Sequence, residues 1–265
     1  MIVAIHQPHF MPWMGYLDRM LRADLFIVLD HVQYENRNYQ NRTRIRIDGK
    51  AQWLTVPLLQ RSQAERIVDK RIDNPPAAKV AEGRWWGANH FQTLRHAYRE
   101  APFFDDHAPA VQKLLEEPRD ALVDLDLATL GFLREALDIR TPLVRSSTLG
   151  VTARKSALIV ELCQAVGADA YLAGMGGSRD YLDREAFERA GIRLLWQDYK
   201  QPSYRQCGEA PFLPGLSALD LLFNCGPSAH GLLRTGSKRT PQLVPASSAP
   251  FLADTMLTRF RLNDC

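Results

Sequence analysis

The sequence predicts an α/β protein whose sheet is mostly parallel. Two short apolar runs with β-branched residues, at 2–5 and 25–29, flank a helical pattern at 15–23, and strands and helices alternate again between residues 141 and 196. Strands joined by helices pair in parallel. A basic β-hairpin and a helical segment, together at about residues 35–139, form an insertion. The whole pattern is Rossmann-like, and ligands of such sheets bind beyond the carboxyl ends of the strands.

The first strand–helix–strand unit delivers polar side chains to two strand ends. A proline at residue 8 breaks the first strand, so His6 stands at its carboxyl end. The following helix carries Tyr16 on its apolar side. The second strand ends at Asp30. We therefore expect His6 and Asp30 at the same edge of the sheet.

A basic hairpin is predicted next. The stretch 35–50 carries five basic and two acidic residues, a net charge of +3 that equals the charge of the whole chain. Strand-like alternation at 43–47, the turn signal Asp48-Gly49 and a return strand at 52–58 indicate two antiparallel strands.

The second half returns to alternating elements. Apolar residues recur at helical spacing from about residue 85 to 139, where Pro118 suits a helix start. Gly167 is typical of the end of a helix. The later elements are, in order, a strand at 141–146, a helix at 155–166, a strand at 170–172, a Gly-rich turn at 174–177, the end of a helix at 187–190 and a strand at 192–196.

The composition fits an ordinary globular domain. Of 265 residues, 46% are hydrophobic and 24% charged, and 33 Lys and Arg against 30 Asp and Glu leave a net charge of +3. These values exclude a disordered, collagen-like or disulfide-dense chain, and they give little support to nucleic acid or an anionic membrane as a partner. We expect a single domain over residues 1–234 and a Ser- and Pro-rich C-terminal tail without fixed structure over 235–265.

Cysteine spacing and the start of the chain indicate the compartment. The four cysteines are widely spaced, without the pairs of a zinc site or a disulfide framework, which suits a reducing environment. The first residues lack the basic and apolar regions of a signal peptide, and no apolar run approaches the roughly 20 residues of a membrane span. We expect a cytoplasmic protein without membrane insertion.

The loop after the first strand is the first candidate site. It brings His6, Gln7, His9, Trp13 and Tyr16 between a strand end and a helix start. Histidine serves as an acid or a base, and a helix N-terminus favours an anion. The alternative roles are solvent exposure for His9 and core packing for Trp13. Two histidines three residues apart, without a further ligand pattern, do not predict a metal site.

The second candidate site follows the second strand. Asp30 has the chemistry to take a proton or hold a sugar hydroxyl, and Arg42 to clamp a phosphate or carboxylate. Gln33, Tyr34 and Asn41 complete this group. For Asp30 the alternative is a surface salt bridge with turn capping. For the hairpin the alternatives are a solvated face or a site for single-stranded nucleic acid.

A glycine-rich turn after a strand is the third candidate site. Gly174 and Gly176 let a ligand approach the backbone closely, and Asp180 and Tyr181 follow. The turn matches neither the dinucleotide fingerprint nor a Walker A loop. Lys155, at the start of the preceding helix, would either meet an anion there or be a solvated helix residue.

Motifs spread over most of the chain resemble the WbqC-like family, and the resemblance extends to about Gly226. It adds Asn224 to the candidate binding residues. The motifs are His6-Gln7-Pro8 with Pro12-Trp13-x-Gly15-Tyr16, Ala23-Asp24, Asp30-x-Val32-Gln33-Tyr34 with Asn41-Arg42, Trp53-Leu54-Thr55-Val56-Pro57, Tyr98-x-x-Ala101-Pro102-Phe103, Gly167-Ala168 with Tyr171-Leu172-Ala173-Gly174, Asp180-Tyr181-Leu182, and Leu216-Ser217-x-x-Asp220-x-Leu222-Phe223-Asn224.

That family is found among genes for bacterial O-antigen and other surface glycans, and near secondary-metabolite genes. The resemblance therefore implies modification of a sugar or a small metabolite, without specifying a reaction. The chain departs from the family at His31, where Asp is frequent, and at Ala173, where Ser is frequent. Any family activity that needs that carboxylate or hydroxyl would be affected here.

The first loop is also similar to the His-x-Gly-His region of nucleotidylyltransferases and class I aminoacyl-tRNA synthetases. Tyr16 stands where the second histidine of those enzymes helps to stabilise the transferred phosphate. Ser146-Ser147-Thr148 is similar to their Ser-Ser-Thr loop but lies mid-chain. This similarity implies a Rossmann-like sheet more strongly than it implies adenylyl transfer.

The resemblance and the candidate residues together predict a transferase of glycan or metabolite biosynthesis that moves an acyl or aminoacyl group to an amine or amino sugar. His6 or Asp30 would be the base, and Arg42 with loop amides would hold an anionic donor. The donor would be an acyl or aminoacyl thioester, on a carrier protein for instance, or an aminoacyl-tRNA; no cofactor is predicted. The alternatives are nucleotidyl transfer with a nucleotide and Mg²⁺, a non-catalytic sugar- or nucleotide-binding factor, and RNA binding through the hairpin.

Overall fold

The computed structural model describes residues 1–59, 62, 64–174, 182–236 and 242–243 of the chain. The strands are β1 (Ile2–His6), β2 (Leu25–Val28), β3 (Arg42–Ile47), β4 (Lys50–Thr55), β5 (Leu143–Arg145), β6 (Ala170–Ala173), β7 (Arg193–Trp196) and β8 (Gln242–Leu243). The helices are α1 (Met14–Leu21), α2 (Ala77–Ala81), α3 (Trp86–Tyr98), α4 (Phe104–Glu116), α5 (Leu122–Ala136), α6 (Lys155–Ala165), α7 (Arg184–Arg189), α8 (Ala218–Cys225) and α9 (Ala229–Thr235).

The main sheet has the strand order β5-β2-β1-β6-β7-β8. Neighbours from β5 to β7 are parallel, and β8 runs antiparallel to β7. The chain proceeds outward from β1 to β2 and β5, and then crosses to β6 and β7 on the other side of β1. This crossing makes the gap between β1 and β6 a topological switch point, where ligands of open α/β sheets bind. The predicted Rossmann-like parallel sheet is confirmed.

Alternate residues of the central strands face two separate cores. Ala4 and Phe26 belong to the core that contains α1 and α5. Val3 and Ile27 belong to the core that contains α6 and α7. Because side chains alternate along a strand, burial on both faces explains why the strands read as nearly continuous apolar runs.

The hairpin forms a small antiparallel sheet of its own from β3 and β4. Its turn residues Asp48 and Gly49 have φ values of +49° and +74°, as a tight two-residue hairpin turn requires. The return strand ends at Thr55, earlier than predicted. Pro57 has no N–H group to extend the ladder, and the last N–H before it, that of Val56, donates to the backbone oxygen of Asn41 at 2.8 Å.

The helical region after the hairpin comprises α3, α4 and α5, and the structure adds helices that the sequence pattern does not reveal. Helix α8 is one of them, and the Ser217 hydroxyl at its start accepts a hydrogen bond from the Leu219 N–H at 3.3 Å. All of its residues from Ala218 to Asn224 are buried. With 8 residues, the helix is too short for its periodicity to stand out in the sequence.

The predicted tail begins beside the sheet. Gln242 of β8 pairs with Trp196 of β7. The other residues from 237 onward lie outside the described part of the chain, so a tail without fixed structure stays a prediction. Among the described residues, no helix combines the length and the apolar character that a membrane crossing needs.

Candidate functional site

Strand register brings candidate residues into one row at the carboxyl edge of the sheet. His6 pairs with Val28, and Val28 pairs with Arg145 on the next strand. The β1–β6 register pairs Ala4 with Leu172, which places His6 level with Gly174. With strands about 4.8 Å apart, the row from Arg145 through His6 to Gly174 spans roughly 14 Å.

His6 presents an open nitrogen in this row. Its Nδ1 lies 3.0 Å from the backbone oxygen of Gln7. Because that oxygen is an acceptor, the neutral ring carries its proton on Nδ1 and leaves Nε2 as a free acceptor. Burial, together with His9 and the charge of Arg19, holds the pKa of His6 well below its ordinary value of 6.5. The ring is therefore neutral at physiological pH.

His6, His9 and Tyr16 form a cluster of rings behind the sheet edge. Their centroids are 4.6 Å apart for the two histidines, 4.7 Å for His6 and Tyr16, and 5.2 Å for His9 and Tyr16. Tyr39 stacks on His9 at 5.5 Å. Only 5% of His9 is exposed, and burial followed by the charge of Arg19 lowers its pKa to about 3. The solvent-exposed role for His9 is thus not what the structure shows.

Several buried polar atoms of this cluster have no hydrogen-bond partner within the described ranges. They are both ring nitrogens of His9, the hydroxyl of Tyr16 and both carboxyl oxygens of Asp126. Asp126 lies on α5 and is 1% exposed, and burial raises the pKa of its carboxyl well above the usual value. Burial, and after it the charge of Asp126, also raises the pKa of Tyr16.

Arg19 of α1 reaches the switch point from the same helix face as Tyr16. A side chain on Gly174 would place its Cβ 2.6 Å from the Arg19 Nη2, so the guanidinium lies directly against the backbone after β6 and would have to shift if residue 174 carried a side chain. The Nε of Arg19 donates to the Gln197 side-chain oxygen at 3.1 Å. Gln197 in turn donates to Asp18 at 2.7 Å. The structure thus places a buried guanidinium beside the predicted glycine turn.

Asp30 is saturated with hydrogen bonds. One of its oxygens accepts from the Ser146 hydroxyl at 3.0 Å and the Ser147 N–H at 2.9 Å, and the other from Arg145 Nε at 2.7 Å and the Ser147 hydroxyl at 2.8 Å. Burial alone would raise the pKa of Asp30, but the bonds from Arg145 and Ser147 outweigh it and hold the pKa below its ordinary value. The carboxylate links the ends of β2 and β5 and orients Arg145; a role as base stays a prediction.

Residues 35–40, which we name the cover segment, lie over the first loop. The Gln7 side chain donates to Glu35 at 3.0 Å and accepts from Gln40 at 3.0 Å. The Phe10 N–H donates to the backbone oxygen of Tyr39 at 3.1 Å. Gln7 therefore serves as the anchor of this segment.

The second candidate group borders the cover segment. The Tyr34 hydroxyl donates to the Asn41 side chain at 2.9 Å. The Arg42 guanidinium stacks on Trp53 at 4.0 Å and donates to the backbone oxygens of Asn38, at 3.3 Å, and Arg37. Arg42 thus orders the base of the cover segment in this structure, and its predicted anion contact is not tested. The exposed Gln33 pairs through its backbone with Arg66.

Other predicted residues lie apart from this cluster. Trp13 forms a backbone bridge with Ser217 and packs against Tyr199. An anion contact at the start of α1 stays a prediction. Lys155 is exposed at the start of α6.

Asn224 of α8 belongs to a second polar cluster. Its side-chain oxygen accepts from the Cys207 N–H at 2.6 Å, and its amide donates to the Asp220 backbone oxygen at 2.7 Å. The carboxylate of Asp220 accepts from Tyr98, Tyr204 and Gln206. This cluster fastens the loop before α8 to the helical layer. Gly176, Asp180 and Tyr181 lie outside the described residues.

Three functional candidates escaped the sequence analysis: Arg19, Asp126 and Arg145. Asp126 had a detectable signal, because it lies four residues after Leu122 and three before Thr129 on an otherwise apolar helix side. The other two carry no local signal. Among the described residues, no group of three or more His, Cys, Asp and Glu side chains has the arrangement of a metal site.

Comparison with known proteins identifies relatives of the chain. A family model described as the WbqC-like protein family matches residues 7–231. The uncharacterized protein Rv1507c of Mycobacterium tuberculosis (strain ATCC 25618 / H37Rv) is 32% identical over 234 residues, which cover 88% of this chain and 97% of that protein. No solved structure matches the chain.

Proposed function

The chain belongs to the WbqC-like protein family, and from this premise and the geometry of its switch point we propose that it is a small-molecule transferase of glycan or metabolite biosynthesis. It moves an acyl or aminoacyl group from a thioester or ester donor to an amine. The proposal rests on one observation above all, the open Nε2 of a neutral His6 at the carboxyl end of β1.

The position of His6 suits a general base. Its Nδ1–H is held by the Gln7 backbone oxygen, which fixes the tautomer and points the basic nitrogen away from that contact. Its lowered pKa keeps the base unprotonated over the physiological range. His9, the other imidazole of the ring cluster, has no accessible basic nitrogen, because both of its ring nitrogens are buried.

The transfer step follows from these groups. The amine nitrogen attacks the carbonyl carbon of the donor, so that a C–N bond forms and the C–S or C–O bond to the leaving group breaks. His6 Nε2 takes a proton from the attacking nitrogen and returns it to the departing sulfur or oxygen. Atoms and charges balance without a metal or a redox partner.

Cations flank His6 in the sheet row. Arg145 lies two strands away and is oriented by Asp30, with 31% of its side chain exposed. Arg19 lies beside Gly174 on the other side. A guanidinium fixed by a carboxylate is well prepared to hold a phosphate or carboxylate of the donor. Arg145 therefore supports the anionic end of the donor in this proposal, and Arg42 remains a further candidate at the cover segment.

The experiment measures transfer from thioester and aminoacyl donors to amines, with His6→Asn as the test variant. Asparagine can still donate to the Gln7 oxygen but lacks the basic nitrogen. We expect turnover to fall by about 10²- to 10⁴-fold with an unchanged melting temperature. His96→Asn, at an exposed histidine of α3, is the matched control and should retain full activity.

Three results would contradict the proposal. Unchanged turnover of His6→Asn would remove the base. Ligand binding without conversion of any donor would favour a binding factor. Release of pyrophosphate from a nucleoside triphosphate with Mg²⁺ would favour nucleotidyl transfer.

A further inference from the structure

A buried carboxyl group beside the ring cluster has no use in the step described above. Asp126 has neither oxygen hydrogen-bonded within the described ranges, although its neighbours on the helix are fixed in place. The Thr129 hydroxyl donates to the backbone oxygen of Asp126 at 3.0 Å and accepts from the Met11 N–H at 3.3 Å. This pair of contacts docks α5 on the first loop and brings Asp126 up to the residues that surround His6.

The unpartnered atoms around Asp126 indicate a missing polar group. The hydroxyl of Tyr16 and both nitrogens of His9 are buried without partners as well. A buried polar atom without a partner destabilises the fold, and folded proteins leave few of them. Several in one place are most simply explained by a polar occupant that satisfies them together.

The chemistry of the surrounding groups favours a cation. Asp126 acts electrostatically on both Tyr16 and Tyr34, so its carboxyl lies near aromatic residues from two parts of the chain. A carboxylate with aromatic rings is a typical environment for an ammonium group. The molecule uses the same combination nearby, where the Lys70 ammonium lies 4.6 Å from the Tyr34 ring centroid and 2.7 Å from Glu65.

We propose that Asp126, together with Tyr16 and His9, binds the ammonium group of the acceptor substrate. This assignment rests on the proposed transfer to an amine and names the subsite that the amine occupies as an ammonium ion. One ammonium proton passes to the Asp126 carboxylate, which leaves the free amine that attacks the donor. Without a counter-charge the carboxyl is neutral because burial disfavours its charge. An arriving ammonium group supplies the counter-charge that allows Asp126 to ionise.

The cover segment controls access to this subsite. Tyr39 stacks on His9, and the Gln7 bonds to Glu35 and Gln40 hold the segment closed over the first loop. The segment is held by a few polar contacts and by the two ring pairs of Tyr39, with His9 and with Trp53. It can therefore be displaced at far less cost than the sheet or α5. Displacement of Tyr39 uncovers His9.

The experiment follows the carboxyl carbon of Asp126 by ¹³C NMR at neutral pH while methylammonium chloride is added, without any donor. Loss of the signal in Asp126→Asn assigns it. We expect the resonance to start at the position of a protonated carboxyl and to move to that of an ionised one, with sodium chloride and methanol causing no such change. Asp124→Asn, at an exposed aspartate of the same helix, should respond like the parent.

Affinity gives a second readout. Methylammonium should bind about tenfold or more weakly to Asp126→Asn than to the parent and to Asp124→Asn. Asp126→Leu, of similar size and without polar atoms, repeats the test in case the amide disturbs folding. An unmoved Asp126 resonance, or equal binding to parent and Asp126 variants, would overturn the subsite.

The two proposals can fail separately. The binding experiment involves no transfer, so an absent ammonium response combined with His6-dependent turnover would remove only the subsite. A normal ammonium response combined with full activity of His6→Asn would remove only the proposed base.

Discussion

At the scale of single residues, burial keeps some of the candidate groups uncharged, whereas hydrogen bonding keeps another one ionised. His6 and His9 are held neutral chiefly by burial, which lowers the pKa of both rings. Asp126 is held neutral in the same way by a raised pKa. Asp30 stays ionised because its four hydrogen bonds outweigh burial. The site therefore combines uncharged groups with the ion pair of Asp30 and Arg145, and perturbed pKa values of this kind are typical of functional sites.

The buried His9 makes stability sensitive to acid. The pKa of His9 is lowered to about 3 in the folded protein, against 6.5 ordinarily. Between pH 6.5 and about 3, His9 binds a proton in the unfolded chain but not in the folded protein. The free energy of unfolding therefore falls as the pH is lowered through this range, by roughly 1.4 kcal/mol per pH unit for this one proton. His9→Phe removes this proton, and we expect denaturation curves of the variant to show a shallower decline over that window.

At neutral pH the same variant should be no less stable than the parent, because the unpartnered nitrogens of His9 are lost with the ring. The exposed His96→Asn provides the comparison and should reproduce the parent's acid profile. An unchanged slope in His9→Phe would show that His9 titrates normally in the fold.

At the scale of elements, two glycines with opposite roles test how the backbone sets local structure. Gly49 in the hairpin turn has φ +74°, and a Cβ there would lie 2.6 Å from the Cβ of Ala210. Gly131 lies in α5 with open space around it. We expect Gly49→Ala to lower the free energy of unfolding by about 1–2 kcal/mol or more, and Gly131→Ala to raise it by about 0.5–1 kcal/mol.

Urea denaturation of the parent, Gly49→Ala and Gly131→Ala measures both changes in the free energy of unfolding. We expect that free energy to depend on urea concentration with the same slope in all three proteins. Opposite signs would confirm that the turn requires a left-handed residue while the helix merely tolerates glycine. A neutral Gly49→Ala would mean that the hairpin turn and its contact with Ala210 adjust freely.

At the scale of the whole molecule, the strand order places the site. Because the chain leaves β1 and β6 toward opposite sides of the sheet, the gap between them is a switch point, and groups from β1, β5, α1 and Gly174 lie along the same sheet edge. A ligand bound there contacts elements that are distant in the sequence and therefore stabilises the whole fold rather than one segment.

This leads to a thermal unfolding experiment with nucleotides, nucleotide-sugars, coenzyme A thioesters, carrier-protein thioesters and aminoacyl-tRNA. The correct donor, at about 100 times its dissociation constant, should stabilise the protein by roughly 2.7 kcal/mol and raise the melting temperature. Arg145→Gln should weaken the shift for an anionic donor, whereas the exposed Arg140→Gln should not. Stabilisation by a nucleoside triphosphate alone, increased by Mg²⁺, would contradict acyl transfer.

The sequence pattern predicted part of the site for a clear physical reason. His6 and Asp30 follow short strands, and strand ends of parallel sheets converge. Tyr16 was recognised because it follows the loop that begins at His6. Arg145 could not be recognised, because its importance depends on β5 lying next to β2, a pairing between segments more than a hundred residues apart.

The sequence by itself determined the local features: the α/β alternation, the hairpin with its Asp48-Gly49 turn, and the strand ends that carry His6 and Asp30. These depend on residue periodicity and backbone preferences, which act over a few residues. Only the tertiary structure decided that Asp126 lies with the ring cluster and that Asn224 lies elsewhere. Contacts of this kind, and the burial that shifts pKa values, depend on strand order and helix packing, which no local pattern specifies.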